Sequence, residues 1–255
     1  MKFSINKGSY GNKKIIGRYI KSNKNNLTIF IHGSYSTTLK DKYFNLVKSI
    51  KKQKLTDVVL FETSREISYQ NRIKQNISHE KYSATFDKKT FADELSDVKE
   101  VVKYSVRHFR LVRKKNPNLH FVGISLGGIL QSLLISKYKK YLRSVILLGS
   151  GSRTNYLNRP ILSSMPDKSK TLSNYENFNG LLTIIHGIED KSINPKYSNI
   201  IFSNVKKARY KQMILIKGAD HRFTMIDGKP CEEKLSNIVL NIIKQNIIMS
   251  DLIYI

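Results

Sequence analysis

The chain has 255 residues, of which 40% are hydrophobic and 25% charged, enough for one domain with a full core. No run of about 18 apolar residues occurs, which excludes a membrane-spanning helix, and the start, Met1-Lys2-Phe3-Ser4-Ile5-Asn6-Lys7, lacks the apolar stretch of a secretory signal. A net charge of +26 raises the question of nucleic acid, but the basic residues are spread along the chain with no zinc-finger spacing or aromatic RNA-binding motif, and the single Cys231 rules out an internal disulfide and suits the reducing cytoplasm.

Residues 1–21 read as a β-hairpin region with an edge strand at 14–20. Residues 27–31 form a β-branched apolar run, the pattern of a buried strand, ending at His32-Gly33-Ser34. A helix follows near 40–52, with Tyr43, Leu46, Val47 and Ile50 on one stripe, then a strand at 57–61. Residues 62–88 are polar and irregular and read as a long loop. A helix spans about 89–115, with Leu95, Val98, Val102, Phe109 and Val112 at the helical period and Asn116-Pro117 as its stop. Lys103, Arg107, Arg110 and Lys114 share one face of it. A solvated surface is the plain reading of that face; weak contact with an anionic membrane surface, polyanion or acidic partner is the sharper one.

A strand at 119–122 and a helix ending near Tyr141 come next, then a strand at 144–148. Residues 151–180 break the rhythm with Pro160, Pro166 and a mixture of polar and apolar residues including Tyr156, Leu162 and Met165, which suits a cap inserted into the domain. Alternation resumes with a strand at 181–185, a helix at 195–207, a strand at 212–216 and a last helix over about 230–247. The apolar tail 247–255 suits packing on the core or a dimer contact, so the chain is expected to be a monomer or homodimer. The pattern predicts an α/β fold: a single domain over 1–255 with a mostly parallel sheet, helices on both faces and a cap at 151–180.

The most informative segment is Gly123-Ile124-Ser125-Leu126-Gly127. It lies between a predicted strand and a predicted helix, the context in which a G-x-S-x-G serine becomes a nucleophile. A serine hydroxyl needs a histidine base and an acid that orients the histidine. Asp190 follows the strand 181–185 and His221 follows the strand 212–216, so both fall after Ser125 and just past the C-terminal ends of apolar strands, where ligands gather on a parallel sheet. Glu189 is the competing acid. Asp220 is expected to brace its turn, Asp167 lies in the cap segment, and His32 and His186, each followed by glycine, are expected to shape loops. His120 falls on the opposite sheet edge, and His79 and His108 read as loop and helix-surface residues. Two backbone N–H groups should receive the oxyanion: that of Leu126, and that of Ser34 or, as a fallback, Tyr35. Tyr35, Tyr156, Leu162 and Met165 are the expected pocket residues. No metal or organic cofactor is expected.

His32-Gly33-Ser34, Gly123-Ile124-Ser125-Leu126-Gly127-Gly128, His186-Gly187-Ile188-Glu189-Asp190 and Gly218-Ala219-Asp220-His221-Arg222-Phe223 together resemble the α/β-hydrolase superfamily. The H-G-x-x-D and G-A-D-H pieces are most similar to compact intracellular serine esterases, including feruloyl/cinnamoyl-type esterases, and to serine aminopeptidase-type hydrolases. The resemblance implies a twisted eight-stranded sheet with one antiparallel strand near the start and a cap after the sixth strand. The activity it implies is cleavage of carboxylic esters with small to medium acyl or aryl groups. Thioester or acyl-peptide hydrolysis and acyl transfer by the same three residues stay open, as does a non-catalytic protein that binds polyanions or membrane surfaces through its basic helix face.

Overall fold

β3 (Asn26–Ile31) is buried at all six positions because both faces of the sheet are covered and a neighbour pairs on each edge. The structure, a computed structural model, describes the chain apart from residues 11–12, 23, 156–158, 230–231 and 254–255, and the backbone alone of 41–45 and 232–234. Around β3 lie β1 (Lys2–Ile5), β2 (Ile15–Ile20), β4 (Asp57–Glu62), β5 (Asn118–Ile124), β6 (Leu142–Leu148), β7 (Leu181–Gly187) and β8 (Tyr210–Ile216), in the order β1-β2-β4-β3-β5-β6-β7-β8. β2 runs antiparallel to both of its neighbours, and every other pairing is parallel. β3 is flanked by β4 on one side and β5 on the other. The chain order therefore reverses there, and a crevice opens beyond the C-terminal ends of those strands.

Two apolar layers enclose the sheet. On one face, α4 (Phe91–Arg113), α5 (Leu126–Ser132) and α9 (Pro195–Asn204) contribute Val98, Val102, Phe109, Ile129, Leu130 and Ile201. On the other, α1 (Asp41–Lys52) and α10 (Glu232–Ile253) contribute Leu46, Val47, Ile50, Val239, Ile242 and Ile243. A mostly parallel sheet has to be covered this way, since its parallel strands carry apolar side chains on both faces. Among the described residues no helix is long and apolar enough to cross a membrane.

Several expectations are corrected. The supposed loop 62–88 holds α2 (Tyr69–Lys74) and α3 (His79–Ala84), each opened by a serine, Ser68 or Ser78, whose side chain accepts the N–H of the third helical residue, Asn71 or Lys81. Each spans six residues, too few for a hydrophobic period to appear in the sequence. Val112 is 40% exposed, so the inward stripe of α4 ends at Phe109. The elbow helix breaks into α5 and α6 (Ile135–Tyr138). α9 stops at Asn204, and α10 runs on to Ile253, taking in most of the apolar tail with Ile247 buried and Ile248 and Leu252 exposed. Segment 151–180 contains α7 (Pro160–Ser163) and α8 (Lys168–Glu176) and inserts Ile161, Tyr175 and Phe178 into the core. The Tyr43 side chain, Tyr156 and Cys231 lie outside the described residues.

Candidate active site

β5 delivers the chain to Ser125, which takes φ 53° and ψ −122°, a conformation that few residues other than glycine adopt. The Ser125 N–H donates to the Leu148 carbonyl at 2.9 Å, anchoring the turn to β6. Space around it explains the flanking glycines. A Cβ on Gly123 would lie 2.6 Å from the Gly128 Cα, and one on Gly127 would lie 2.1 Å from the Ile31 carbonyl oxygen. The turn thus packs α5 directly against β3 and lifts Ser125 above the sheet edge.

There Ser125 meets two residues from distant parts of the chain. Its Oγ lies 3.0 Å from His221 Nε2, and His221 Nδ1 lies 2.7 Å from Asp190 Oδ2. Asp190 and His221 sit on the loops that follow β7 and β8. Asp190 is buried, whereas the His221 side chain is 25% exposed and borders the crevice. Asp190 Oδ1 accepts the N–H groups of Ser192 and Ile193, each at 2.8 Å, and its Oδ2 also accepts from His186 Nε2 at 2.9 Å. Burial alone would raise the Asp190 carboxyl. The hydrogen bonds from His186 and His221 outweigh burial and hold it well below the usual carboxylate range.

A cleft of about 620 Å³ opens over Ser125, and Ser34, Tyr35, Leu126 and Leu162 line it as expected from the sequence. Met165 does not: it packs against the hydrophobic core, because α7 turns the chain inward just before it. Tyr35 has φ 53° and packs edge-on against Phe86, with the Arg159 guanidinium over its ring at 4.6 Å. Lys40, His79, Arg159 and Arg222 also line the cleft. Sequence reasoning missed these because they lie on irregular segments or short helices, although Arg222 adjoins His221 and could have been inferred from adjacency. Glu189 is exposed, away from His221's hydrogen bonds, and Asp220 accepts the N–H groups of Arg222 and Thr224 within its turn.

Behind the Gly33–Ser36 loop lies a buried polar cluster that the sequence did not announce. His32 Nδ1 is 2.9 Å from its neighbour's carbonyl at Gly33 and 3.6 Å from Glu94. Lys89, fully buried, lies 2.6 Å from Glu94 and 3.1 Å from Asp97. Arg65 pairs with Glu62 at 3.1 Å, bonds the Tyr82 hydroxyl and donates to the Ser36 carbonyl at 2.9 Å, tying the cluster to the loop that carries Ser34 and Tyr35. Burial would raise Glu94, but Lys89, His32 and Arg65 together hold it at about 2. Among the described residues no group of three or more His, Cys, Asp or Glu side chains is placed to hold a metal ion.

The architecture is the α/β-hydrolase fold. Est1E from Butyrivibrio proteoclasticus superimposes with a TM-score of 0.63 over 96% of this chain and 98% of its own, at 13% identity. A structure of the same protein has ferulic acid bound. A monoacylglycerol lipase from Paleococcus ferrophilus matches with a TM-score of 0.63 over 91% of this chain and 99% of its own, at 10% identity. Dienelactone hydrolase from Anabaena variabilis matches at 0.61 over 94% and 95%, at 12% identity. No family model matches the sequence, and no curated protein matches it in sequence.

Proposed function

We propose that the chain is a serine hydrolase that cleaves carboxylic esters of small to medium acyl or aryl groups. The observation that carries this reading is the unbroken hydrogen-bond chain from Ser125 through His221 to Asp190, at 3.0 and 2.7 Å, at the mouth of an open cleft. In this mechanism Ser125 Oγ attacks the acyl carbon while His221 Nε2 takes its proton. Asp190 accepts from Nδ1, which fixes the tautomer and stabilises the imidazolium as it forms. His221 then protonates the leaving alcohol, and a water molecule activated by the same nitrogen releases the acyl group. The N–H groups of Leu126, the first residue of α5, and of Ser34 receive the oxyanion.

The cleft supports the substrate class. It has room for a ligand of moderate size, with Ile124, Ile129 and Leu162 as apolar walls and Tyr35 as an aromatic one. Segment 151–180 serves as the cap, since Thr154, Arg159 and Leu162 reach the cleft from it. The ferulic acid held by Est1E, an aryl carboxylic acid, supports acyl groups of that kind here. A reducing compartment such as the cytoplasm suits a chain with one cysteine. The test is hydrolysis of nitrophenyl esters of increasing acyl length, together with labelling by a fluorophosphonate. Turnover and labelling should both vanish in Ser125→Ala; turnover that survives this change or His221→Ala would sink the mechanism.

A further inference from the structure

Asp190 serves two histidines, and the second is not part of the proposed proton path. We infer that His186 carries a proton on both ring nitrogens and, as an imidazolium, shares the Asp190 carboxylate with His221, so that it sets how much negative charge the acid presents to the base.

Hydrogen-bond accounting carries this inference. His186 Nε2 lies 2.9 Å from Asp190 Oδ2 and 2.9 Å from the Ile193 carbonyl oxygen. A carboxylate and a carbonyl can only accept, so Nε2 must donate. His186 Nδ1 lies 2.6 Å from Ser198 Oγ, and that hydroxyl lies 2.6 Å from the Ser150 carbonyl. The single hydroxyl proton is taken by the carbonyl, so Oγ turns a lone pair to the ring and Nδ1 must donate as well. A neutral imidazole has one N–H and would leave a lone pair facing an acceptor. The ring has no exposed surface, so these contacts decide its protonation.

His120 provides the contrast. It is equally buried, but its Nδ1 lies 2.8 Å from Ser144 Oγ and its Nε2 lies 3.2 Å from Asn26 Oδ1. There the serine donates and the ring donates once, so a neutral imidazole satisfies every contact. At His186 the acceptors outnumber what a neutral ring can supply, and one of them is an anion. The other charged groups on the neighbouring segments make no hydrogen bond to His186 among its contacts. Glu189 and Lys191 on the same loop and Lys196 on α9 are exposed, and Asp220 on the facing loop is engaged by Arg222 and Thr224.

The consequence for chemistry follows from charge. Asp190 receives four hydrogen bonds, two from backbone N–H groups and two from imidazoles. With a buried cation on Oδ2, less of its charge is left to favour the imidazolium form of His221, and its position is fixed from the side away from the substrate. His186 is thus a positioning residue, a role that rests on the serine-hydrolase reading; its protonation state does not.

The experiment begins with the intact protein carrying ¹⁵N-labelled histidine. At pH 7 both His186 ring nitrogens should resonate in the protonated range, while His120 shows one protonated nitrogen. One unprotonated His186 nitrogen overturns the inference, and this readout needs no variant to fold. His186→Gln, which retains one donor, should lower kcat roughly ten- to hundredfold, the loss of a charge-assisted hydrogen bond. It should also move the acid limb of the kcat/KM profile to higher pH. A lower kcat with the limb unmoved assigns His186 to packing and overturns the charge role. Fluorophosphonate labelling of the wild-type protein runs alongside. If labelling is absent the hydrolase reading fails and takes the positioning role with it, whereas the ring-nitrogen signals still decide the protonation state.

Discussion

Gly127 sits so close to Ile31 that a Cβ at this position would lie 2.1 Å from the Ile31 carbonyl oxygen, a backbone atom that cannot swing aside. The contact joins the start of α5 to the end of β3, the two elements that bring Leu126 and Ser34 to one cleft. Gly127→Ala should therefore lower unfolding stability by about 3 kcal/mol, the upper end of overpacking costs, and slow fluorophosphonate labelling of Ser125. Gly228→Ala is the control. Its φ is +78° and nothing lies within 4 Å, so it should cost only about 1 kcal/mol for the left-handed backbone. Urea unfolding of both variants checks the order; equal costs would remove the steric argument.

Asp190→Asn tests the orienting role separately from the nucleophile. An amide that presents its NH₂ group to His221 Nδ1 stabilises the wrong tautomer and leaves Nε2 unable to take the Ser125 proton. The expected fall in kcat is on the order of 10⁴-fold, with KM changed far less, because Asp190 does not line the cleft. Steady-state kinetics with a nitrophenyl ester, taking Ser125→Ala as the floor, decides it. A loss smaller than tenfold would mean that Asp190 is not the orienting acid.

The parallel strands and the three residues at the centre of the site were legible because two strong signals coincide, whereas the edge strand expected at 14–20 is an inner one, with β1 and β4 paired on its two sides. Buried parallel strands are continuous apolar runs, and Ser125, Asp190 and His221 each stand just beyond one. The antiparallel β2 followed from the resemblance rather than from the periodicity of residues 15–20. What stayed hidden has common physical causes. α2 and α3 are too short for a period and are declared only by Ser68 and Ser78. Lys89 gives no sign in the sequence that it is buried, since its partners Glu94 and Asp97 lie on the following helix and pair with it only once the loop has folded back. His186, followed by glycine, reads as a loop-shaping residue in the sequence; its contact with Asp190 depends on the turn Gly187–Asp190, in which the Asp190 N–H donates to the Gly187 carbonyl at 3.3 Å. Met165 packs on the core and not on the cleft, a difference that apolar composition does not carry.

Lys89 holds Glu94 and Asp97 together and donates to the Ser64 carbonyl at 2.7 Å, all out of contact with water. Replacing it with an apolar residue of similar length leaves two buried carboxylates without their cation. Lys89→Met should cost about 3–5 kcal/mol at neutral pH. The penalty should shrink as pH falls, since a protonated carboxyl needs no partner. Denaturant unfolding of wild type and variant at pH 7 and pH 4.5 checks this; a cost independent of pH would make the defect one of packing alone.

The acid side of the stability curve should be governed first by two buried histidines. Burial lowers His32 from the ordinary value of 6.5 to about 4, although Glu94 pulls in the other direction. Burial, aided by Arg143, lowers His120 to about 3. The sign follows from linkage. Between the ordinary and the folded values the unfolded chain binds protons that the native protein refuses, so stability rises with pH there and falls as the medium is acidified. Both contributions are fully present above pH 6.5 and are lost progressively as pH drops toward 4 for His32 and toward 3 for His120. Each removes about 1.4 kcal/mol per pH unit inside its window. Glu94 acts later: its depressed carboxyl contributes fully above the ordinary carboxylate value of 4.5, and that contribution is lost progressively as pH falls from there toward about 2. Urea unfolding at pH 7, 5.5 and 4.5 should therefore show stability falling well before the carboxylates titrate. His120→Gln, whose amide can keep the bond to Asn26, should make the slope between pH 6 and 4.5 shallower by one proton. A wild-type profile flat across this range would show that neither ring is held neutral by the fold.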